Sequence, residues 1–161
     1  MLVLIVENEP LVAVSLELEL ELAGHRVLGP ASDPDHGLRL AAEHRPDVAL
    51  VDIGLNGVPR GIELARALRS KYDVAVLFVT MTLDTALENQ DAAVGVITKP
   101  FDPDDVPESV EIVNAVKQGK RPLPQSIPGS LQLFSAFSSR GEPQRHKFAA
   151  AELRTAGGSL V

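Results

Sequence analysis

Five polar residues of this chain stand at the ends of short apolar runs, and their types suit a metal ion and a phosphate group. They are Glu7, Asn8, Asp52, Thr80 and Lys99. Carboxylate and amide oxygens are hard ligands of the kind that Mg²⁺ takes, usually with several waters retained. A Lys and a hydroxyl facing them can hold phosphate oxygens, the Lys as a point charge. We therefore expect a metal and phosphate site, provided that the fold brings these residues together.

The apolar runs that carry these residues have the composition of buried β-strands. Each is nearly continuous and rich in β-branched side chains, as strands covered on both faces should be. The runs are LVLIV (2–6), RVLG (26–29), DVALVD (47–52), VAVLFVT (74–80) and VGVIT (94–98). Helical patterns separate them, which predicts an α/β fold with a doubly wound parallel sheet and helices on both faces. Ligands of such sheets collect outside the carboxyl ends of the strands.

The helical patterns between the strands carry recognisable ends. Leu11, Val14, Leu18 and Leu22 fall on one face of the first helix, as expected of an amphipathic helix, and Gly24 is placed to end it.

Two later helices are predicted from their first residues. Asp33 and Pro34 form an N-cap and first-turn pair for a helix that runs to about His44. Asp105 with Glu108 has the spacing of a capping box at the start of the last helix.

Composition excludes several classes of protein. The 161 residues suffice for one well-buried domain, and the absence of Cys excludes disulfides, zinc-thiolate sites and thiol nucleophiles. Residues 1–118 hold 9 Lys and Arg against 20 Asp and Glu, an acidic balance that argues against nucleic acid binding by this part. The first residues have neither the basic start nor the apolar length of a signal peptide or membrane span, so we expect a cytoplasmic protein.

The chain changes character after residue 118. Residues 119–161 carry 6 Lys and Arg against 2 Asp and Glu, and begin with a stretch rich in Pro, Gly and Ser. We expect a domain over 1–118 and a basic tail over 119–161, extended or with short amphipathic helices at 131–139 and 146–154. Three of the five Phe residues lie in this tail, which favours docking of the tail over a free end.

Four short motifs, in order and on the expected strands, resemble the receiver domain of bacterial two-component response regulators. They are VENEP at the end of the first strand, ALVDIGLNG (49–57), LFVT (77–80) and TKPF (98–101). The resemblance covers residues 1 to about 118 and implies a flavodoxin-like fold with strand order 2-1-3-4-5.

The resemblance also implies a role for each candidate residue. Asp52 would accept a phosphoryl group from a histidine kinase or phosphotransfer protein. Glu7, Asn8, Asp52 and the Gly54 carbonyl would hold Mg²⁺. Thr80 and Lys99 would bind the phosphoryl oxygens, and Lys99-Pro100 would be a cis peptide. Glu9, one residue further on, reads as a charge that favours the start of a helix rather than as a ligand.

The chain departs from the family pattern at four places. Asn8 replaces an Asp that would touch the metal, which predicts weakened Mg²⁺ affinity. Met81 stands where a small residue is usual, and this predicts slow transfer. Val96 replaces an aromatic switch residue, and the segment between Thr80 and Lys99 leaves room for only a shortened fourth helix.

Three functions compete on this reading. The favoured one is a phosphoryl-accepting module that acts through an unidentified downstream protein, with a homodimer left open. The alternative is a pseudo-receiver, a constitutive interaction scaffold whose metal site is weakened at Asn8. An enzyme of similar architecture is disfavoured, because no glycine-rich nucleotide motif occurs and Gly54 stands where aspartate-nucleophile phosphatases carry a second Asp.

Overall fold

A computed structural model of the chain describes residues 1–120 and 127–135. In chain order its elements are β1 (Leu2–Val6), α1 (Pro10–Leu22), β2 (Arg26–Ala31), α2 (Pro34–His44), β3 (Val48–Val51), a 3-10 turn (Leu55–Gly57), α3 (Arg60–Tyr72), β4 (Ala75–Thr80), α4 (Leu83–Glu88), β5 (Gly95–Thr98), α5 (Asp105–Lys117) and β6 (Leu131–Leu133).

The described strands form one sheet in the order β2-β1-β3-β4-β5-β6. Strands β1 to β5 are parallel, so the predicted α/β class and the order 2-1-3-4-5 are confirmed. Successive residues of a strand point to opposite faces. Val3 and Ile5 therefore pack in the core on the side of α1 and α5, while Leu4 and Val6 pack in the core shared with α2 and α3.

The sheet has a sixth strand that the sequence analysis did not include. β6 runs antiparallel to β5, with Leu131 opposite Ile97 and Leu133 opposite Gly95. Residues 131–133 thus form a strand rather than part of the short helix considered for 131–139, and the extended alternative describes them. The open edge of β5 offers the backbone of this segment hydrogen-bonding partners, and a three-residue strand in a Pro- and Gly-rich stretch carries too little periodicity to be recognised.

The buried face of α1 differs from the stripe noted in its sequence. Leu11, Val14, Leu18 and Leu22 are 87%, 59%, 52% and 73% exposed. The helix buries a second stripe instead, made of Ala13, Leu16 and Leu20. Both stripes have helical spacing, because α1 is apolar at most positions that are not Glu, and spacing alone cannot choose between them. The helix thus carries an exposed apolar stripe.

The predicted starts of two helices have different outcomes. The Asp33 side chain accepts a hydrogen bond from the His36 amide at 2.9 Å, so the N-cap of α2 is confirmed. The Asp105 capping box is not formed, because Asp105 already lies inside α5 and its carboxylate binds Ser130. Helix α4 has six residues, which confirms the shortened fourth helix.

Part of the tail lies outside the described residues, including 136–139 and the second predicted helix at 146–154. Within the described part, Phe134 is 1% exposed and belongs to the same buried cluster as Val96. None of the helices in the described ranges has the length and apolar character needed to span a membrane.

Candidate functional site

The ends of β1, β3 and β5 deliver three charged side chains to one edge of the sheet. Glu7 follows β1, and its amide donates to the carbonyl of Ala31 at 2.9 Å. Asp52 follows β3, and its amide donates to the carbonyl of Val6 at 3.0 Å. Lys99 follows β5, and its amide donates to the carbonyl of Thr80 at 2.9 Å. Parallel pairing thus continues one residue past each strand and fixes the backbone under each functional group.

Lys99 lies at the centre of the site. Its Nζ is 2.7 Å from Glu7 Oε2, 2.9 Å from Glu9 Oε1 and 3.4 Å from Asp52 Oδ2. The side chains of Lys99, Glu7 and Asp52 are 8%, 2% and 9% exposed, whereas that of Glu9 is 55% exposed. One ammonium group therefore holds three carboxylates, two of which are shielded from water.

Burial and hydrogen bonding together shift the pKa values of Glu7 and Lys99. Desolvation raises the pKa of Glu7 above its usual value, although hydrogen bonds from Lys99 and from the Glu9 amide oppose this. Desolvation alone would lower the pKa of Lys99, but the hydrogen bonds to Glu7 and Glu9 and the charge of Asp52 outweigh it and raise that pKa. Lys99 therefore stays protonated, and the site has one cationic group against three carboxylates.

Three of the predicted site residues make other contacts in the structure. Asn8 donates from Nδ2 to Asn56 Oδ1 at 3.3 Å. The Thr80 hydroxyl lies 3.0 Å from the Thr82 hydroxyl and accepts a hydrogen bond from the Thr82 amide. The Gly54 carbonyl accepts from Gly57, while the Gly54 amide donates to Asp52 Oδ1 at 3.1 Å. Asn8 and Thr80 thus lie at or just after strand ends, as expected, but their side chains contact Asn56 and Thr82. Side-chain direction is a rotamer choice that the sequence does not reveal.

Glu9 joins the site although the sequence analysis assigned it to the start of a helix. It is the residue before α1, so it does precede the first turn. Its carboxylate nevertheless lies with those of Glu7 and Asp52, with one oxygen of each within 4.8 Å of the others. The sequence carried only a weak signal, the spacing of two residues between Glu7 and Glu9; in the structure the Glu9 amide donates to Glu7 Oε1 at 2.8 Å, which keeps the two residues together.

The donor set fits a hard divalent cation. Three carboxylates converge on one point and meet a single ammonium group, so a cation among them would relieve both the repulsion and the raised pKa of Glu7. Mg²⁺ is usually held by one or two carboxylates and keeps several waters, so a part of this cluster is enough to bind it. Glu9 thus places a negative charge beside Glu7 and Asp52, whereas the Asn8 side chain is uncharged.

The fold and the site together define a class of protein. The family model of the response regulator receiver domain matches residues 3–111. The chain belongs to this family of bacterial two-component signalling proteins, whose members bind Mg²⁺ and interact with kinases or partner proteins.

Individual relatives agree with this assignment. The chain is 36% identical over 107 residues to the phyllosphere-induced regulator PhyR of Methylorubrum extorquens, which covers 65% of this chain and 40% of that protein. It is 34% identical over 107 residues to the transcriptional regulatory protein KdpE of Mycobacterium tuberculosis, covering 65% and 46%. The chain thus spans less than half the length of these relatives.

Among solved structures, the chain resembles the signal receiver domain of a modulated diguanylate cyclase from Desulfovibrio desulfuricans. The TM-score is 0.67 at 32% identity, and the match covers 74% of this chain and 98% of that one.

Proposed function

We propose that this protein accepts a phosphoryl group on Asp52 and acts through protein partners. The observation that supports this most directly is the contact of Lys99 with Glu7, Glu9 and Asp52 at one edge of the sheet. The donor would be a phosphohistidine of a kinase or phosphotransfer protein, in the cytoplasm. The exposed stripe of α1 begins just after Glu9 and offers such a donor apolar surface beside the site.

The proposed reaction is an in-line transfer. One carboxylate oxygen of Asp52 attacks the phosphorus, the bond between phosphorus and the imidazole nitrogen breaks, and that nitrogen leaves with its electron pair. Lys99 holds the oxygens of the transferred group as a fixed positive charge. Glu7 and Asp52, with Glu9, would hold Mg²⁺, which neutralises charge on the phosphoryl oxygens. The Gly54 amide fixes the other oxygen of Asp52 and so orients the carboxylate.

Intact mass spectrometry after incubation with acetyl phosphate and millimolar Mg²⁺ tests this proposal. Acetyl phosphate is a mixed anhydride like the product, so the transfer is close to balanced and needs no partner protein. We expect one phosphoryl adduct in the wild type and none in Asp52→Asn. No adduct in the wild type but a clear one in Asn8→Asp would favour the pseudo-receiver. The structural support for that alternative is that the uncharged Asn8 side chain binds Asn56.

We further expect Glu9 to contribute to Mg²⁺ affinity. Glu9→Gln should raise the Mg²⁺ dissociation constant about tenfold, a loss of about 1.4 kcal/mol, because it removes one charge close to the cation. Asn8→Asp should lower that constant by a similar factor. Isothermal titration calorimetry measures both. Glu21→Gln removes an exposed charge from the far end of α1 and is the control. If Glu9→Gln and Glu21→Gln change the Mg²⁺ dissociation constant equally, Glu9 does not contribute to metal binding and serves only as a charge at the start of α1.

A further inference from the structure

Residues 127–134, here called the edge segment, run back along the outer side of β5. Its strand β6 pairs with β5, and the Phe134 amide donates to the Val94 carbonyl at 2.9 Å. Leu131 is 5% exposed in the core on the side of α5, and Phe134 is 1% exposed in the core on the other face. The segment therefore packs side chains on both faces of the sheet, although its strand has only three residues.

Gly95 allows this close approach. A Cβ atom at Gly95 would lie 2.6 Å from the carbonyl oxygen of Gln132 and 3.3 Å from the Cα of Leu133. The nearest atoms that such a Cβ would meet all belong to the backbone of the edge segment. Pairing of β6 with β5 thus depends on a missing side chain, and it can be disturbed without touching Asp52.

The other end of the edge segment is held by the loop that carries Lys99. Ser130 donates to Asp105 Oδ2 from its amide at 3.0 Å and from its hydroxyl at 2.6 Å. The Asp102 amide donates to the Ser130 hydroxyl at 3.4 Å. These bonds lower the pKa of Asp105, which keeps the acceptor ionised. Residues 129–132 also line a common groove with Thr98, Pro100, Phe101, Asp102 and Asp105.

Residues 99–105 therefore contact both the carboxylates of the site and Ser130 of the edge segment. At its start, Lys99 holds the three carboxylates of the site; a few residues on, Asp102 and Asp105 hold Ser130. Phosphorylation of Asp52 replaces a carboxylate with one negative charge by an acyl phosphate with nearly two, so about one negative charge is added beside Lys99 Nζ. The ammonium would then divide its contacts among Glu7, Glu9 and the new oxygens, and a shift of Lys99 would reach the backbone that follows it.

We propose that the edge segment is a releasable strand whose pairing with β5 weakens when Asp52 is phosphorylated. This inference rests on the proposed function and names its regulation. The coupling runs from Lys99 through the 99–105 loop to Ser130, and from Ser130 to β6. Release would uncover the edge of β5 and the space that Phe134 fills in the core shared with α2 and α3.

Hydrogen exchange of the full-length protein tests the coupling. The protein is incubated with acetyl phosphate and Mg²⁺, the adduct is verified by intact mass, and amide exchange is followed by mass spectrometry. We expect peptides covering 127–135 to exchange at least fivefold faster in the phosphorylated protein, the lower end of typical coupling between two sites. Peptides from β1 and β3 should keep their rates.

Two variants locate the coupling. Ser130→Ala should speed exchange of the edge segment without phosphorylation and leave little further response to it. Gly129→Ala is the control, because a Cβ there meets nothing within 4 Å. Gly95→Ala should release β6 by a separate route, through the contact with Gln132.

The outcomes separate the two proposals. An adduct on Asp52 with unchanged exchange at 127–135 would overturn the coupling and leave the proposed function standing. Failure to form any adduct would overturn the proposed function, and the coupling with it. Equal responses of Ser130→Ala and Gly129→Ala would show that Ser130 does not hold the segment, which also contradicts the coupling.

Discussion

Lys99→Met is expected to cost about 3 kcal/mol of unfolding free energy, because removing one partner of a buried ion pair leaves its carboxylates uncompensated. Glu7 and Asp52 are nearly inaccessible to water and would face each other without a cation. If Mg²⁺ binds the folded site as proposed, it should restore most of this loss, because it would supply the missing positive charge. Urea unfolding with and without Mg²⁺ measures both effects. The phosphoryl adduct should also be lost or strongly reduced.

Lys117→Met provides the matched control for Lys99→Met. Lys117 also binds an acidic residue, Asp73 at 2.8 Å, but the two side chains are 28% and 89% exposed. Exposed pairs of this kind contribute about 0 to 1 kcal/mol, and Mg²⁺ should not affect the variant. Equal losses in the two variants, or a Mg²⁺ effect in Lys99→Met no larger than in the wild type, would contradict the electrostatic account of the site.

Gly61→Ala is expected to destabilise the fold by about 3 kcal/mol and to disturb the backbone that carries Asp52. A Cβ at Gly61 would lie 2.1 Å from the Asp52 carbonyl oxygen and 2.7 Å from the Cα of Ile53. Both are backbone atoms, so the first turn of α3 must move away from the end of β3. Overpacking of this kind costs about 1 to 3 kcal/mol, and here little can yield. Thermal or urea unfolding gives the stability, and the rate of adduct formation reports on Asp52.

Gly54→Ala is the control for Gly61→Ala. A Cβ at Gly54 would lie 3.9 Å from Asp52 Oδ1, an ordinary contact, although this glycine is two residues from the same Asp. Its stability should stay within about 1 kcal/mol of the wild type, the usual difference between Gly and Ala. A Gly61→Ala variant as stable as Gly54→Ala would mean that α3 is free to shift at its first turn.

The strand ends could be predicted from the sequence because parallel strands impose a strong constraint. Continuous apolar runs place Glu7, Asp52 and Lys99 at one edge of the sheet, and the structure brings them into contact. What lies beyond the backbone could not be predicted so well. The direction of the Asn8 side chain depends on Asn56, which is distant in sequence. That of Thr80 depends on Thr82, which is two residues away.

Two other differences have physical causes of their own. In α1, apolar residues occur on two stripes with helical spacing, and the sheet below decides that Leu16 and Leu20 are buried while Leu18 is not. β6 exists because β5 leaves an open edge and Gly95 leaves space beside it. Neither cause can be recognised in a window of sequence, since both depend on a partner elsewhere in the chain.

The two outer strands of the sheet also bear on self-association. An open strand edge is a template on which another molecule can grow a sheet. On one side, β2 carries Pro30, which has no N–H to donate. On the other, the short β6 occupies the longer edge of β5. Both margins are therefore poor templates while β6 is docked, and a signal that freed β6 would turn one margin into a place for strand addition by a second chain.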